Sequence, residues 1–317
     1  MVLTRLIAKR LFGALVTLWF VTVLIFLAVE CLPGDAAEAL LGKDATPVAV
    51  ENLRAELHLN DPPLERYVGW LGRVAVGDLG NSLTTNRPIA PMLATRLSNT
   101  LFLAATAAAI AVPLAIILGL VSALYRGTRL DRIISVLSLA SISFPEFFVG
   151  YILLVVFALN LGWFPVLSGI NADMGLGEQL HRIVLPALTL VCLVLAYMMR
   201  MTRAAVINVL SNPYIEMAEL KGCSRREIIV RHAFVNAIGP VANVVALSLA
   251  YLVVGVVVVE VVFTYPGLGQ WMVDSVSKQD ILVVQICGLI FGATYIGLNL
   301  TADIVAVLFN PKLRHPR

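Results

Sequence analysis

Residues 233–259 read AFVNAIGPVANVVALSLAYLVVGVVVV, a stretch without one charged side chain. A helix needs about 20 mostly apolar residues to cross the hydrocarbon core of a bilayer. The run is continuous and does not alternate, so it reads as a transmembrane α-helix and not as a barrel strand. Comparable uncharged runs occupy 11–29, 97–125, 133–145 with 147–172, 183–199 and 281–302. The third is one span interrupted by Glu146 and followed by an outer loop. The set predicts an all-α membrane protein with six transmembrane helices, at 9–30, 97–124, 132–160, 183–204, 238–262 and 281–308.

The rest of the composition agrees. Of 317 residues, 59% are apolar and 14% charged, against about 25% charged in soluble domains. Mean hydropathy is +0.90. A soluble enzyme, a disordered chain and a nucleic-acid binder are excluded, and a net charge of +3 is too small to imply a polyanionic partner. Cys31, Cys192, Cys223 and Cys287 are widely spaced and form no CxxC pair, so free thiols are expected. At the N-terminus Arg5, Lys9 and Arg10 precede an apolar run longer than the 7–15 residues of a signal-peptide core. Ala37-Glu38-Ala39 lies well past that run, so the segment is expected to stay as helix one.

Basic residues set the expected orientation. They concentrate at 5–10, 126–132, 200–203, 221–231 and 312–317, which predicts both termini and two connections in the cytoplasm. Two segments are too long and polar to be simple connections: 32–95, outside, and 205–237, inside.

In the outer segment, Thr46-Pro47 reads as an N-cap and first helical position. Val50, Leu53 and Leu57 follow on one helical face. A second short helix is expected around Leu64–Val74, carrying Tyr67, Trp70 and Leu71 and broken by Gly77-Asp78-Leu79-Gly80. An amphipathic cap on the bundle and a docking or gating surface are two compatible readings of this segment.

The inner segment runs Ser211-Asn212-Pro213-Tyr214-Ile215-Glu216-Met217-Ala218-Glu219-Leu220-Lys221-Gly222-Cys223-Ser224-Arg225-Arg226-Glu227. Asn212 reads as a cap and Pro213 as the first helical position. Gly222 suits the left-handed residue past a helix end, and Ser224 with Glu227 forms a capping box for a second helix. Ile228, Ile229 and Phe234 supply the apolar face of that helix. The expected product is a helix–Gly–helix projecting into the cytoplasm, able to sit in a groove of another protein or to lay Arg225, Arg226 and Arg231 on lipid head groups. Local chemistry leaves both readings open.

In order and spacing these motifs resemble the inner-membrane permease subunit of bacterial dipeptide, oligopeptide and nickel ABC importers. The likeness covers nearly the whole chain. It includes Leu32-Pro33-Gly34-Asp35, Gly77-Asp78-Leu79-Gly80-Asn81-Ser82, Pro145 with Phe147 and Gly150, and Leu161-Gly162-Trp163 with Pro165. The cytoplasmic loop resembles the family's E-A-A-x-x-x-G loop: Glu216, Ala218 and Gly222 match, and Met217 replaces the middle alanine. Arg231-His232-Ala233, Asn236-Ala237 and Pro240 follow, then Glu260, Phe263 and Tyr265-Pro266-Gly267-Leu268-Gly269. An Ile-x-Leu-Pro stretch of the general pattern is missing at His232 to Val235, as is usual in the peptide subgroup.

The resemblance implies a type I importer fold divided into a first helix (1–31), an outer helical segment (32–95) and a five-helix core (96–317) with its coupling loop at 205–237. It implies a second homologous permease subunit, two cytoplasmic ATPase subunits, an extracytoplasmic binding protein and a lipid surround. The residues expected to meet the ATPases are Tyr214, Glu216, Ala218, Lys221, Gly222 and Ser224. Those expected at the translocation cavity are Pro145, Glu146 and Phe147, and at an outer gate Glu260, Tyr265, Pro266, Gly267 and Gly269. Without a G-x-x-x-x-G-K-[ST] motif, ATP chemistry is expected on a separate subunit. No catalytic residue, cofactor or metal is expected.

Glu146, Glu260 and Asp303 fall within spans, where a charge costs about 2.5–3.5 kcal/mol on insertion scales, so they are expected to face the bundle interior. A straight-helix count of about 1.5 Å per residue from Arg132 puts Glu146 near the midplane. It reads as a cavity carboxylate for a cationic solute or as a structural residue toward the sister subunit. Asp303 reads as an anchor for the inner end of helix six. Met198, Met199 and Met201 read as packing, and His58, His181, His232 and His315 are too dispersed for a metal site. The competing functional class is a self-sufficient secondary transporter or channel, but no inverted repeat with paired broken helices is seen.

Overall fold

The computed structural model describes residues 2–31, 36–42, 45–171 and 173–309. The Leu32–Asp35 motif and the basic positions Lys312, Arg314 and Arg317 therefore lie outside the described residues, as does His315. Among the described residues the chain is α-helical, with one isolated bridge between Asn81 and Pro88. Five helical stretches are long and apolar enough to cross a membrane, or six if one bent pair is a single span. Their cores are Ile7–Glu30, Ile89–Leu124, Leu176–Leu210, Ile228–Val262 and Ile281–Ile304, plus the pair Arg129–Ser143 and Glu146–Asn160.

We number the helices α1 (Val2–Glu30), α2 (Ala36–Leu41), α3 (Pro47–Glu56), α4 (Pro63–Ala75), α5 (Ile89–Leu124), α6 (Arg129–Ser143) and α7 (Glu146–Leu153, continued as a π-helical turn to Asn160). Then follow α8 (Leu176–Leu210), α9 (Pro213–Leu220), α10 (Arg225–Glu227), α11 (Phe234–Val262), α12 (Leu268–Ser277) and α13 (Ile281–Phe309). The spans match the sequence expectation in number and order. Helices α5 and α8 begin before the apolar runs, because Pro91 and Glu178 sit in first turns that tolerate them.

The third span departs from a straight rod. Helices α6 and α7 meet at a 102° bend. Phe144 is extended, at φ −94° and ψ 136°, the conformation favoured before a proline, and Pro145 then opens α7. The straight-helix depth count for Glu146 fails for this reason.

The chain divides into two compact units. The first comprises Leu101–Tyr265 with the described parts of Met1–Ala14 and Thr294–Arg317. In it α8 packs against α11, α6 and α7. Its core includes Ala123, Val206, Ile229, Ala233, Ala237 and Val241, and the small residues let helices approach closely without a hydrophobic driving force. At Gly119 a Cβ would meet the Thr202 side chain at 2.8 Å and the Met199 carbonyl at 3.0 Å, so only glycine fits that α5–α8 crossing.

The second unit comprises Leu15–Thr100 and Pro266–Ala293. Its core is Ile89, Leu93, Leu268, Trp271, Val283, Ile286 and Cys287. Thr46 caps α3 by accepting from the Ala49 N–H, with Pro47 first in the helix. Helix α4 lies where expected, Trp70 is buried, and the left-handed Gly77 (φ 83°) ends that segment. Tyr67 packs edge-on against Phe26, its hydroxyl bonds Thr22, and Arg66 pairs with Glu30, so α4 is fastened to α1. Asp280 accepts from the Ser82 and Thr84 hydroxyls and from the Leu83 and Thr84 N–H groups, holding the 82–84 loop. Asn99 and Thr100 donate to and accept from the turn before α12, at the Pro266 carbonyl and the Leu268 N–H.

Candidate functional site

Helix α9 is short, so its position depends on tertiary contacts. Ile215 and Ala218 are buried against Ile228, with Leu210 and Cys223 beside them. Tyr214, Glu216, Met217, Leu220 and Lys221 are exposed, with Leu220 at 76%. Ala218 thus belongs to the packed side of the helix, while Tyr214, Glu216 and Lys221 stand on the open side. Gly222 has φ 83°, as a chain leaving a helix in the left-handed conformation requires.

Two local expectations change. Asn212 precedes Pro213 in extended conformation but makes no side-chain cap to α9. Its amide donates backward to the Val209 and Asn208 carbonyls at the end of α8. The helix after Gly222 is also not a separate hairpin arm. Ser224 accepts from the Glu227 N–H at 3.3 Å, starting a helix at α10 that runs through a π-helical stretch, Ile228–Ala233, into α11. Its apolar residues Ile228 and Ile229 are buried, so the chain keeps the helix going into the span. Glu227 closes no reciprocal box and pairs with Arg231 at 3.0 Å.

A cavity of about 710 Å³ opens between α6, α7, α8, α11 and α13. Pro145, Glu146 and Phe147 all line it, as do Tyr197, Tyr251 and Tyr295. Glu146 is half-buried, and among the described residues no hydrogen bond or ion pair engages its carboxylate. Its Oε2 lies 3.6 Å from the point a Cβ on Gly255 would occupy, an ordinary contact, and it is Leu193, at 2.7 Å from that point, that requires glycine there. Ser248 also lines the cavity, and its buried hydroxyl has no partner.

The 260–269 stretch spans the boundary of the two units. In the first, Glu260 and Tyr265 are fully buried, and the Tyr265 N–H donates to the Glu260 carbonyl at 2.8 Å. Burial, and then the Glu260 carboxylate, push the Tyr265 phenol above its ordinary pKa. Phe263 is fully buried and meets Gly150, where a Cβ would come 3.3 Å from its ring. In the second unit, Gly267 caps α12 and Gly269 is buried in that helix. The sequence places these five residues in one turn, and the structure brings Glu260 and Tyr265 together.

Sequence reading missed a buried ion pair. Asp131 on α6 is 6% exposed and accepts from Arg203 on α8 through Nε and Nη2, both at 2.9 Å. The Ser122 hydroxyl and the Gly127 N–H complete its shell. The sequence places Arg203 only within the cytoplasmic basic cluster 200–203, and a partner 72 residues away leaves no local signal. Asp303, expected as an interface anchor, pairs with Arg10 of α1. Met198 and Met199 are buried and pack as expected. Among the described residues, no group of three or more acidic, His or Cys side chains could hold a metal.

Two family models match. "Binding-protein-dependent transport system inner membrane component" covers residues 111–315, and its N-terminal companion covers residues 3–104. The chain is 36% identical over 309 residues to the "Glutathione transport system permease protein GsiC" of Escherichia coli strain K12 and to that of Shigella dysenteriae serotype 1. It is 35% identical to the Shigella boydii serotype 4 protein of that name. Each alignment covers 98% of both chains.

Proposed function

The chain belongs to the binding-protein-dependent transport system inner membrane components, and from that premise we propose that it supplies half of the translocation pathway of an ATP-driven importer for peptides or related small solutes. Membership makes it the multi-pass permease subunit of an ABC importer, with ATP hydrolysis on a separate subunit and substrate delivered by a binding protein. It also sets aside a self-sufficient secondary transporter. Relatives named for glutathione transport support a peptide-like solute.

In this reading the permease pairs with a second, homologous permease subunit, and two ATPase subunits bind on the cytoplasmic side. Both termini are cytoplasmic, from the distribution of basic residues, and the remainder of the surface meets lipid. Residues 32–95 form the outer segment and 96–317 the core. Tyr214, Glu216, Lys221, Gly222 and Ser224 form the coupling surface, with Ala218 as its packed backing. Pro145, Glu146 and Phe147 line the pathway, and Glu260 with the Tyr265–Gly269 turn forms the outer gate.

The observation that carries the coupling assignment is the open face of α9, a helix seated by Ile215 and Ala218 on Ile228. Tyr214, Met217 and Leu220 remain exposed there, as a helix that fills a partner's groove requires. A proline cannot adopt the Gly222 φ. ATP-dependent uptake by the assembled importer should be lost in Gly222→Pro while ATP hydrolysis continues. Retained uptake in that variant would remove the coupling assignment.

A further inference from the structure

The cavity beside the α6–α7 bend has an unusual charge balance. Glu146 is the one charged side chain among the described residues that line it, and no Lys, Arg or His accompanies it. Other acids on membrane helices are answered within the chain: Asp131 by Arg203 and Asp303 by Arg10. Glu146 has no such partner among the described residues. A half-buried carboxylate without a counter-charge is unfavourable, so the site can take one positive charge.

The walls point the same way. Phe144, Phe147, Tyr197, Tyr251 and Tyr295 line the cavity, and each is about half exposed. Aromatic faces attract an ammonium within about 6 Å of the ring centroid, and they repel an anion for the same reason. A carboxylate and five aromatic rings form the chemistry of an amine site.

We propose that this cavity selects the positively charged amino group of the solute, with Glu146 as its counter-charge and the aromatic side chains as its walls. The inference rests on reading the cavity as part of the translocation pathway, and it adds the class of group recognised there. Solutes would then pass amine-first or amine-held, and an N-acylated analogue would lose that hold.

Cys192 lines the same cavity and supplies a reporter that needs no knowledge of the natural substrate. The probes are a trimethylammonium-ethyl and a sulfonato-ethyl methanethiosulfonate, used on the assembled importer in membrane vesicles with Cys31, Cys223 and Cys287 replaced. Labelling is followed on this chain by mass, and each rate is normalised to that of free cysteine. The normalised cation-to-anion ratio at Cys192 should exceed one by about tenfold, the size expected for a nearby unit charge at intermediate dielectric. Glu146→Gln should bring it close to one.

A second reporter, Leu247→Cys on α11, at an exposed position that lines the cavity, reads the facing helix. A ratio unaltered by Glu146→Gln at either position overturns the inference, and so does failure of both reagents at both positions, since a site closed to small solutes selects none. The underlying pathway reading fails differently: the wild-type importer then shows no ATP-driven uptake of di- or tripeptides, whatever the ratio.

Discussion

Arg203 on α8 grips Asp131 on α6 with two parallel hydrogen bonds of 2.9 Å across 72 residues of sequence. With Ser122 of α5 on the same carboxylate, the pair ties three membrane helices together, about two turns before the end of α8 at Leu210.

Removing Arg203 strands the buried Asp131 carboxylate, which costs about 3–5 kcal/mol. Arg203→Ala should sharply lower the melting temperature of the purified subunit complex, and Asp131→Ala, which leaves a partly exposed guanidinium, should lower it less. Arg203→Lys should restore little, because an ammonium cannot reproduce the guanidinium fork. Wild-type melting in Arg203→Ala would show that the pair contributes nothing to the fold.

The Gly119 crossing makes a separate prediction. A methyl group there collides with Thr202 and the Met199 carbonyl, and overpacking of this kind costs about 1–3 kcal/mol. Gly119→Ala should be destabilising, whereas Gly297→Ala, with nothing within 4 Å, should be neutral or stabilising by about 0.5–1 kcal/mol. Thermal melts of the two variants side by side decide it, and equal melting would contradict the close approach.

Asp280 organises the 82–84 loop with four hydrogen bonds. Charged hydrogen bonds contribute about 1.5–3 kcal/mol each when removal leaves the partner buried and unpaired. Asp280→Ala should raise amide exchange at Leu83 and Thr84 by at least tenfold. Asp280→Asn should keep part of the protection. Unchanged exchange in Asp280→Ala would mean that the loop holds itself.

The two sides of α9 should respond differently to mutation. Ile215→Ala removes a fully buried side chain and should cost about 2–4 kcal/mol, seen as lower abundance and melting. Tyr214→Ala removes an exposed one and should leave melting within about 0.5 kcal/mol while cutting ATP-driven uptake several-fold. Full uptake with Tyr214→Ala would place the ATPase contact elsewhere.

Much of this architecture was legible in the sequence, for identifiable reasons. Spans declare themselves because uncharged runs of sufficient length have few other fates. Thr46-Pro47 and Gly222 declare themselves because a cap and a left-handed residue are local requirements. Pro145 announced an interruption, but the 102° turn depends on how α7 packs against α8 and α11, and no local rule supplies that angle. Ser224 to Glu227 read as the start of a surface helix because its residues are polar. Ile228 and Ile229, one turn on, are buried and carry it into the membrane. Asp131, Asp280 and the Arg10–Asp303 pair were hidden because each partner lies far along the chain. Glu146 stands out because a charge within an apolar run is conspicuous, while Pro145 and Phe147 stand out by the resemblance. The tyrosines that line the cavity beside them do not, since they resemble any other residue of a membrane helix.

The central claim is that this chain is a permease driven by a separate ATPase. Its most direct test is uptake into proteoliposomes holding the permease pair, with the binding protein and a labelled peptide outside and ATP inside. The account predicts uptake when the ATPase subunits are present and none when they are omitted, with or without an ion gradient. Gradient-driven uptake by the permease chains alone would contradict it.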